Sequence, residues 1–428
     1  MPQSIRGDKS ICLPVAIEAE YKAIANDNNT FRQYISQLLD QYPEIFPVEV
    51  KKGFSFHDWV ISSKQQLPMR RIKLKENREV YQLRPDFVMP YMIGKTDEME
   101  KALYLCQFGV PFEAIAYAFG RNAMYWYRAY CGLSRASLVG TTIKSIEKMP
   151  QHLLADEKHT WLQGERVFVP TTVANGCILG VSLTDSASPT ALTEGYREFK
   201  EEIDLIYPDY QPITANTDGW EATRQAWRTL FPNIVLVLCF LHDVLKVEKG
   251  CPTRHNYRKI LSGKLWKAYQ AKTAVKFLTG LRKALNWAKK RIRKKKTLNR
   301  LRKLCRRASQ FKVAYRFPKS YRTSNMLDRL MNHQDRLLFN MRYFHGNRES
   351  AKQYLRSMAL IWNFHPYGAR TRSKDPSRHS PFVDLNGWSY HDNWLHNLLI
   401  ASSMNGRRTG SARSACESRS QLPTHKIR

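Results

Sequence analysis

Between residues 152 and 246 the chain switches repeatedly between two hydrophobic periods, and no other feature limits its fold so tightly. HLLAD, RVFVPTTV and CILGVSL read as strands, the last two joined at Asn175-Gly176, a dipeptide suited to a hairpin turn. Leu192, Tyr196, Phe199, Ile203 and Ile206 then recur at three and four residues, the spacing of one buried helix face. Glu194, Glu198, Glu201 and Glu202 fall on the opposite, solvated side. PITANTD follows as a fourth strand, and EATRQAWRTLF as a second helix that Pro232 stops. The unbroken apolar run IVLVLCFL is expected to be a central strand buried on both faces. Three strands, a helix, a strand, a helix and a strand predict an α/β fold, in an order that several α/β architectures share.

The flanking segments follow other rules. Residues 1–95 read as a small mixed segment with one hairpin, RRIKLKENREVYQL, turning at Glu76-Asn77. Residues 96–147 contain three helical pieces broken at Gly109 and Gly120, with Pro111 where a helix can start. Short helices joined by tight turns fit a helix-turn-helix-like DNA-binding segment, and equally a small helical bundle. In the first reading 121–130 is the recognition helix. Arg121, Asn122 and Arg128 then reach bases or phosphates, Trp126 belongs to the core, and 134–148 is a linker. The α/β pattern occupies 148–249 and resumes over 319–402, around a basic helical insertion at 250–318. Residues 403–428, rich in Ser, Arg and Gly, read as a disordered tail.

Charge narrows the partners. There are 69 Lys plus Arg against 37 Asp plus Glu among 428 residues, a formal net charge of +32. Such a surface attracts polyanions, of which DNA and RNA are the commonest, although a ribosome-associated protein can be equally basic. Residues 289–307 hold twelve Lys or Arg and no acid, so Lys289, Arg291, Lys294 and Lys295 are expected on a DNA backbone. The longest apolar run, 234–241, is far shorter than the ~20 residues needed to span a bilayer. Eight scattered cysteines form no C-x-x-C pair, and no signal-peptide stretch opens the chain. A cytoplasmic setting without membrane contact is the expectation.

The acids carry the chemistry. Moving a phosphoryl group between DNA strands requires an activated oxygen nucleophile and a stabilised leaving oxygen. Two divalent ions about 3.5–4 Å apart serve both ends, and hard cations such as Mg²⁺ prefer carboxylate ligands. Asp156 ends the first predicted strand (LLAD) and Asp218 the fourth (ANTD). In a sheet of RNase H-like order those strands are parallel neighbours, so the carboxylates share one edge, where ligands collect. Taken alone, Asp218 before Gly219-Trp220 could merely cap the next helix. A third acid is expected from the helix RTSNMLDRLMNHQDRLL, with Thr323 or Ser324 as its cap. Met326, Leu327, Leu330, Leu337 and Leu338 make its buried stripe, and Asn325, Asp328, Asn332 and Asp335 a polar one.

LLADEKHTWLQGERVFVPTTV, ANTDGW, LCFLHDVLK and RTSNMLDRLM together resemble the DDE/D transposases of bacterial insertion sequences, Mutator-like in type, over about residues 151–404. The resemblance implies an RNase H-like catalytic domain with a helical insertion. It implies an enzyme that cuts element ends and joins the 3′-hydroxyls to target DNA with two Mg²⁺ or Mn²⁺ ions. Its catalytic and metal-holding acids map onto Asp156, Asp218 and Asp328, and its C-x-x-H signature onto Cys239 and His242. Implied partners are double-stranded DNA, both element terminal repeats and target, and further copies of the chain in a homodimer or higher assembly. Many relatives carry Glu at the third position, whereas Asp328 is one methylene shorter. Cys239 and His242, with no second ligand pair nearby, read as structural or cleft-shaping. His391 and His396 read as packing or helix-surface residues. Two rivals stay open: a non-catalytic, transposase-derived DNA-binding protein, and an RNase H-like nuclease that cuts without joining.

Overall fold

A computed structural model describes residues 7–15, 17–252 and 256–407. It is a mixed α/β protein with two sheets. The first sheet comprises β1 (Ser10–Leu13), β2 (Phe54–Ser62), β3 (Leu67–Leu74) and β4 (Val80–Pro85) in the order β1-β4-β3-β2. β3 and β4 form the hairpin expected around Glu76-Asn77, with Ile72 opposite Tyr81. β1 joins β4 in parallel and β2 pairs antiparallel with β3. Neither flanking strand was foreseen, since β1 has only four residues and the β2 register shifts between Phe56 and Trp59.

The second sheet comprises β5 (His152–Leu162), β6 (Glu165–Ala174), β7 (Cys177–Val181), β8 (Thr214–Thr217) and β9 (Val235–Leu238) in the order β7-β6-β5-β8-β9. β6 runs antiparallel to both neighbours, while β5, β8 and β9 are parallel. The turn between β6 and β7 is Asn175-Gly176, both with positive φ, as a tight hairpin of this type needs. Two expectations are corrected. β5 does not stop at Asp156 but continues six residues beyond it, because its hairpin with β6 extends from Leu154↔Val173 to Leu162↔Glu165. β9 is an edge strand rather than a central one. Its apolar character has another cause: the insertion packs over it, burying Leu238 with Phe240, Phe277 and Phe311.

Alternation along β5 sorts its side chains between two layers. Leu154 packs with the helices Asn325–Asn340 and Arg348–Phe364. Leu153 and Ala155 face the helices Pro189–Asp204 and Glu221–Leu230. In that second layer Trp227 is fully buried and stacks on Phe231 with ring centroids 5.7 Å apart. A fully buried aromatic of this size is worth on the order of 3–5 kcal/mol, so this face is a rigid mount for the strands.

The 250–318 segment forms helices Tyr257–Tyr269, Ala274–Arg291, Lys295–Arg306 and Ala308–Phe311 around an apolar core that it shares with β9 and the helix Phe240–Glu248. Two supposed connectors are structural. Residues 134–148, expected as a linker, contain the short helix Leu138–Thr142, every residue of which is buried. The expected tail begins with a buried 3-10 turn, Ser403–Gly406, and the remainder from 408 lies outside the described residues. No described helix is long and apolar enough to cross a membrane.

The helix Trp394–Ala401 fastens the C-terminal part to the N-terminal part. His396 is 1% exposed, with Nδ1 3.0 Å from Asp86 Oδ2 and Nε2 3.0 Å from Asp97 Oδ1. Burial disfavours its charged form, but the hydrogen bond and charge of Asp86, then those of Asp97, outweigh it and raise the pKa. A raised histidine pKa stabilises fully below the unfolded value, about 6.5, and that stability is lost as pH rises through the folded value. The stability gap between the wild-type protein and His396→Gln should therefore shrink as pH rises, which thermal unfolding across pH would show. A gap that grows with pH would contradict the bridge.

Candidate metal centre

Asp156 shares the Leu154 face of β5, so its carboxylate points toward the helix Asn325–Asn340. β8 pairs with β5 in register Leu154↔Asn216, and two residues further along, just past the end of β8, stands Asp218. Asp328 lies in the first turn of the helix Asn325–Asn340. Ser324 occupies the N-cap position, as expected, but its side chain accepts no backbone amide; its Oγ donates instead to Asp328 Oδ2 at 3.0 Å, which orients that carboxylate. The first turn of the helix Phe240–Glu248, entered directly from β9, brings His242 Nε2 to 3.7 Å from Asp328 Oδ1.

Donor atoms of Asp156, His242 and Asp328 lie within 4.8 Å of one another, a group that could hold a metal ion. Asp218 stands beside this group rather than in it, and its Oδ1 accepts the Trp220 amide at 2.7 Å. The helix cap there is Trp220, so Asp218 makes a turn and is not the cap. Gly219 permits that turn: its φ is +87°, and a Cβ would lie 2.4 Å from Leu238 Cδ1.

The charges in this cleft disfavour one another. Burial, then the charge of Asp218 and more weakly that of Asp328, pushes the Asp156 carboxyl up to about 7, against a smaller lowering by His242. The neighbouring Asp328 carboxylate raises the His242 pKa, helped by the charges of Asp156 and Asp218. Two carboxylates beside one imidazole, with the charge of Asp218 acting from outside the group, form a site in which added positive charge is stabilised.

Several neighbours were not foreseen. Lys158, two residues beyond Asp156 on the same face, pairs with Asp335. The extra length of β5 is what brings Lys158 to Asp335. Glu157 points into the opposite layer, where it accepts hydrogen bonds from Tyr196 Oη (2.7 Å) and Thr223 Oγ1 (2.7 and 2.8 Å). Burial raises its carboxyl to about 7. Cys239 is buried with Sγ 3.3 Å from Ser324 Oγ, so it supports the residue that orients Asp328. The Cys239-x-x-His242 spacing after the fifth strand was the available signal for His242.

A second group, Asp86, His391 and His396, also has donor atoms within 4.8 Å and could hold a metal ion. Both ring nitrogens of His396 already face carboxylates, and His391 Nδ1 accepts the Asn393 amide at 2.8 Å. These His396 contacts form the tie between chain segments described above.

Of the expected DNA contacts, Lys289, Arg291, Lys294 and Lys295 are all exposed at the junction of two insertion helices. Arg121 and Arg128 are exposed, and Arg121 lies over the Tyr125 ring at 5.5 Å. Asn122 caps the helix Ala123–Gly132 by accepting the Tyr125 amide at 2.8 Å, which ties down the oxygen expected to read a base. A scan against protein-family models finds no match to this chain, and a search of curated proteins finds none either.

Proposed function

We propose that the chain is a DNA transposase of the DDE/D type, with an RNase H-like catalytic domain, that cuts element ends and joins the freed 3′-hydroxyls to target DNA. The observation that carries this reading is that Asp156, on a central strand, and Asp328, on a separate helix, meet with His242 within 4.8 Å, while the charge of Asp218 acts on Asp156 from just past the end of the parallel strand β8. The strand order β7-β6-β5-β8-β9 with only β6 reversed supports the RNase H-like assignment. The exposed basic insertion and the +32 charge support DNA as the partner.

The donor set fits divalent cations. Hard carboxylate oxygens predominate, and the upward shift of Asp156 marks negative charge that the protein alone does not neutralise. Asp156, Asp218 and Asp328 would hold Mg²⁺ or Mn²⁺, with His242 at the margin. When bound, two such ions supply the charge that offsets negative charge on the attacking and leaving oxygens. The chain's own residues position the reaction. β5 and β8 hold two carboxylates on a rigid sheet, Ser324 and His242 orient the third, and Lys158 adds a cation beside them. The insertion supplies backbone contacts along the duplex. Holding two element ends calls for at least two copies of the chain.

Mn²⁺ titration followed by water-proton relaxation tests the carrying observation. The wild-type protein should bind Mn²⁺, and Asp156→Asn should weaken binding by at least about tenfold, the lower bound seen even for outer-shell partners of metal sites. Equal Mn²⁺ binding by both proteins would remove the metal centre.

DNA affinity should also be salt dependent, each neutralised phosphate adding about 0.9 to the slope of log affinity against log salt. Replacing Lys289, Arg291, Lys294 and Lys295 with Gln should flatten that slope by about three to four units. An unchanged slope would show that these residues only face solvent.

A further inference from the structure

Between the loop 89–93, which follows the first sheet, and the helix Ala123–Gly132 lies a cleft of about 490 Å³, within the about 300–1,000 Å³ typical of small-ligand sites. Its walls carry three cations, Lys64, Arg128 and Arg135, and no acidic residue. None of the three forms an ion pair with a carboxylate among the described residues. Tyr91 and Tyr125 supply flat rings, and the Arg135 guanidinium sits 4.4 Å from the Tyr91 centroid. The loop bearing Tyr91 is held in an unusual shape. Tyr91 has φ +66°, which a side chain rarely adopts, and the loop's carbonyls are tied by Lys64 to Tyr91, by Tyr125 to Ile93, and by Gln65 to Met92 (2.7 Å) and Gly94 (3.0 Å). Strained backbone fixed by side-chain donors is characteristic of ligand clamps.

We propose that this cleft binds a nucleotide, its phosphate on Arg128, Arg135 and Lys64 and its base against the tyrosine rings. Guanidinium groups suit phosphate oxygens, aromatic rings suit any base, and an acid-free wall excludes no anion. The ligand is either a free nucleotide or an unpaired nucleotide at the end of a DNA strand. The second source rests on the DNA-processing reading, and the first does not.

The test uses the full-length protein with deoxyadenosine monophosphate, deoxyadenosine and inorganic phosphate, followed by saturation-transfer NMR and competition. A second arm uses a blunt hairpin duplex and the same duplex with one unpaired terminal 2-aminopurine nucleotide, read by fluorescence. The monophosphate should bind about tenfold more tightly than either deoxyadenosine or phosphate, the scale of one base–aromatic stack. Arg128→Gln, on the exposed surface, should remove the advantage over deoxyadenosine, and Tyr91→Gly, which keeps the loop's backbone conformation accessible, the advantage over phosphate. A monophosphate that binds no better than phosphate, or equally well in both variants, overturns the proposal. Quenching of the unpaired 2-aminopurine by the wild-type protein alone assigns the site to a DNA end; monophosphate binding without quenching assigns it to a free nucleotide. Loss of all duplex binding by the wild-type protein would instead contradict the transposase reading, and leave the nucleotide result standing.

Discussion

Asp156→Ala and Asp218→Ala should each lower Mg²⁺-dependent strand cleavage by at least about 100-fold, the upper end of what outer-shell changes cost, while DNA affinity is unchanged. Both positions are placed by sheet register rather than by packing of the side chain itself. Asp156 sits between the β6 and β8 pairings, and Asp218 just past the end of β8. Removing Asp156 also removes a carboxyl that is held near 7 by burial and by its acidic neighbours. The folded state of Asp156→Ala should therefore be no less stable at neutral pH, where a group with a raised pKa opposes folding in its charged form. Asp218→Ala loses the hydrogen bond to the Trp220 amide, and a small drop in melting temperature is expected there. Cleavage that persists in either folded variant would remove that acid from the site.

Asp328→Asn should likewise abolish cleavage, whereas Asp335→Asn should reduce it only a few-fold, the scale of losing one exposed ion pair. The two acids share a helix, but their surroundings differ. Asp328 is oriented by Ser324 and lies 3.7 Å from His242 beside Asp156. Asp335 is engaged by Lys158 and is more exposed. Its loss would free Lys158, next to Asp156, and so act on the cleft indirectly. Asp328→Glu should retain partial activity, since a carboxylate remains and one methylene must be repacked. If Asp335→Asn is the inactive variant and Asp328→Asn the active one, the third acid has been misassigned.

Much of this arrangement was legible in the residues because periodicity and turn chemistry are local. The five strands and two helices of 152–238 are each encoded by a pattern of two, by a pattern of three and four, or by Asn175-Gly176. What was missed depends on partners distant in sequence. Leu162 belongs to β5 only because Glu165 lies opposite it, so the strand's true length, and with it Lys158 and Glu157, could not be read from HLLAD. The apolar run of β9 has the same composition in a central strand and in an edge strand covered by an insertion. The pairing of His396 with Asp86 and Asp97 joins residues some three hundred positions apart. For the site, an expected strand end pointed to Asp156, which in fact lies within β5, the end of β8 pointed to Asp218, and a helix motif pointed to Asp328. His242 was signalled by its spacing from Cys239, yet only the turn from β9 into the next helix shows that the imidazole, not the thiol, faces the acids.

The most direct measurement is an assay on end-labelled DNA carrying the sequences that flank the gene, incubated with the protein in Mg²⁺ and a supercoiled target. The account predicts Mg²⁺-dependent nicking at the element end, followed by labelled strands joined to the target, and neither product with Asp156→Ala. Nicking without joining would identify a nuclease, and DNA bound without any cleavage in Mg²⁺ or Mn²⁺ would contradict the catalytic account.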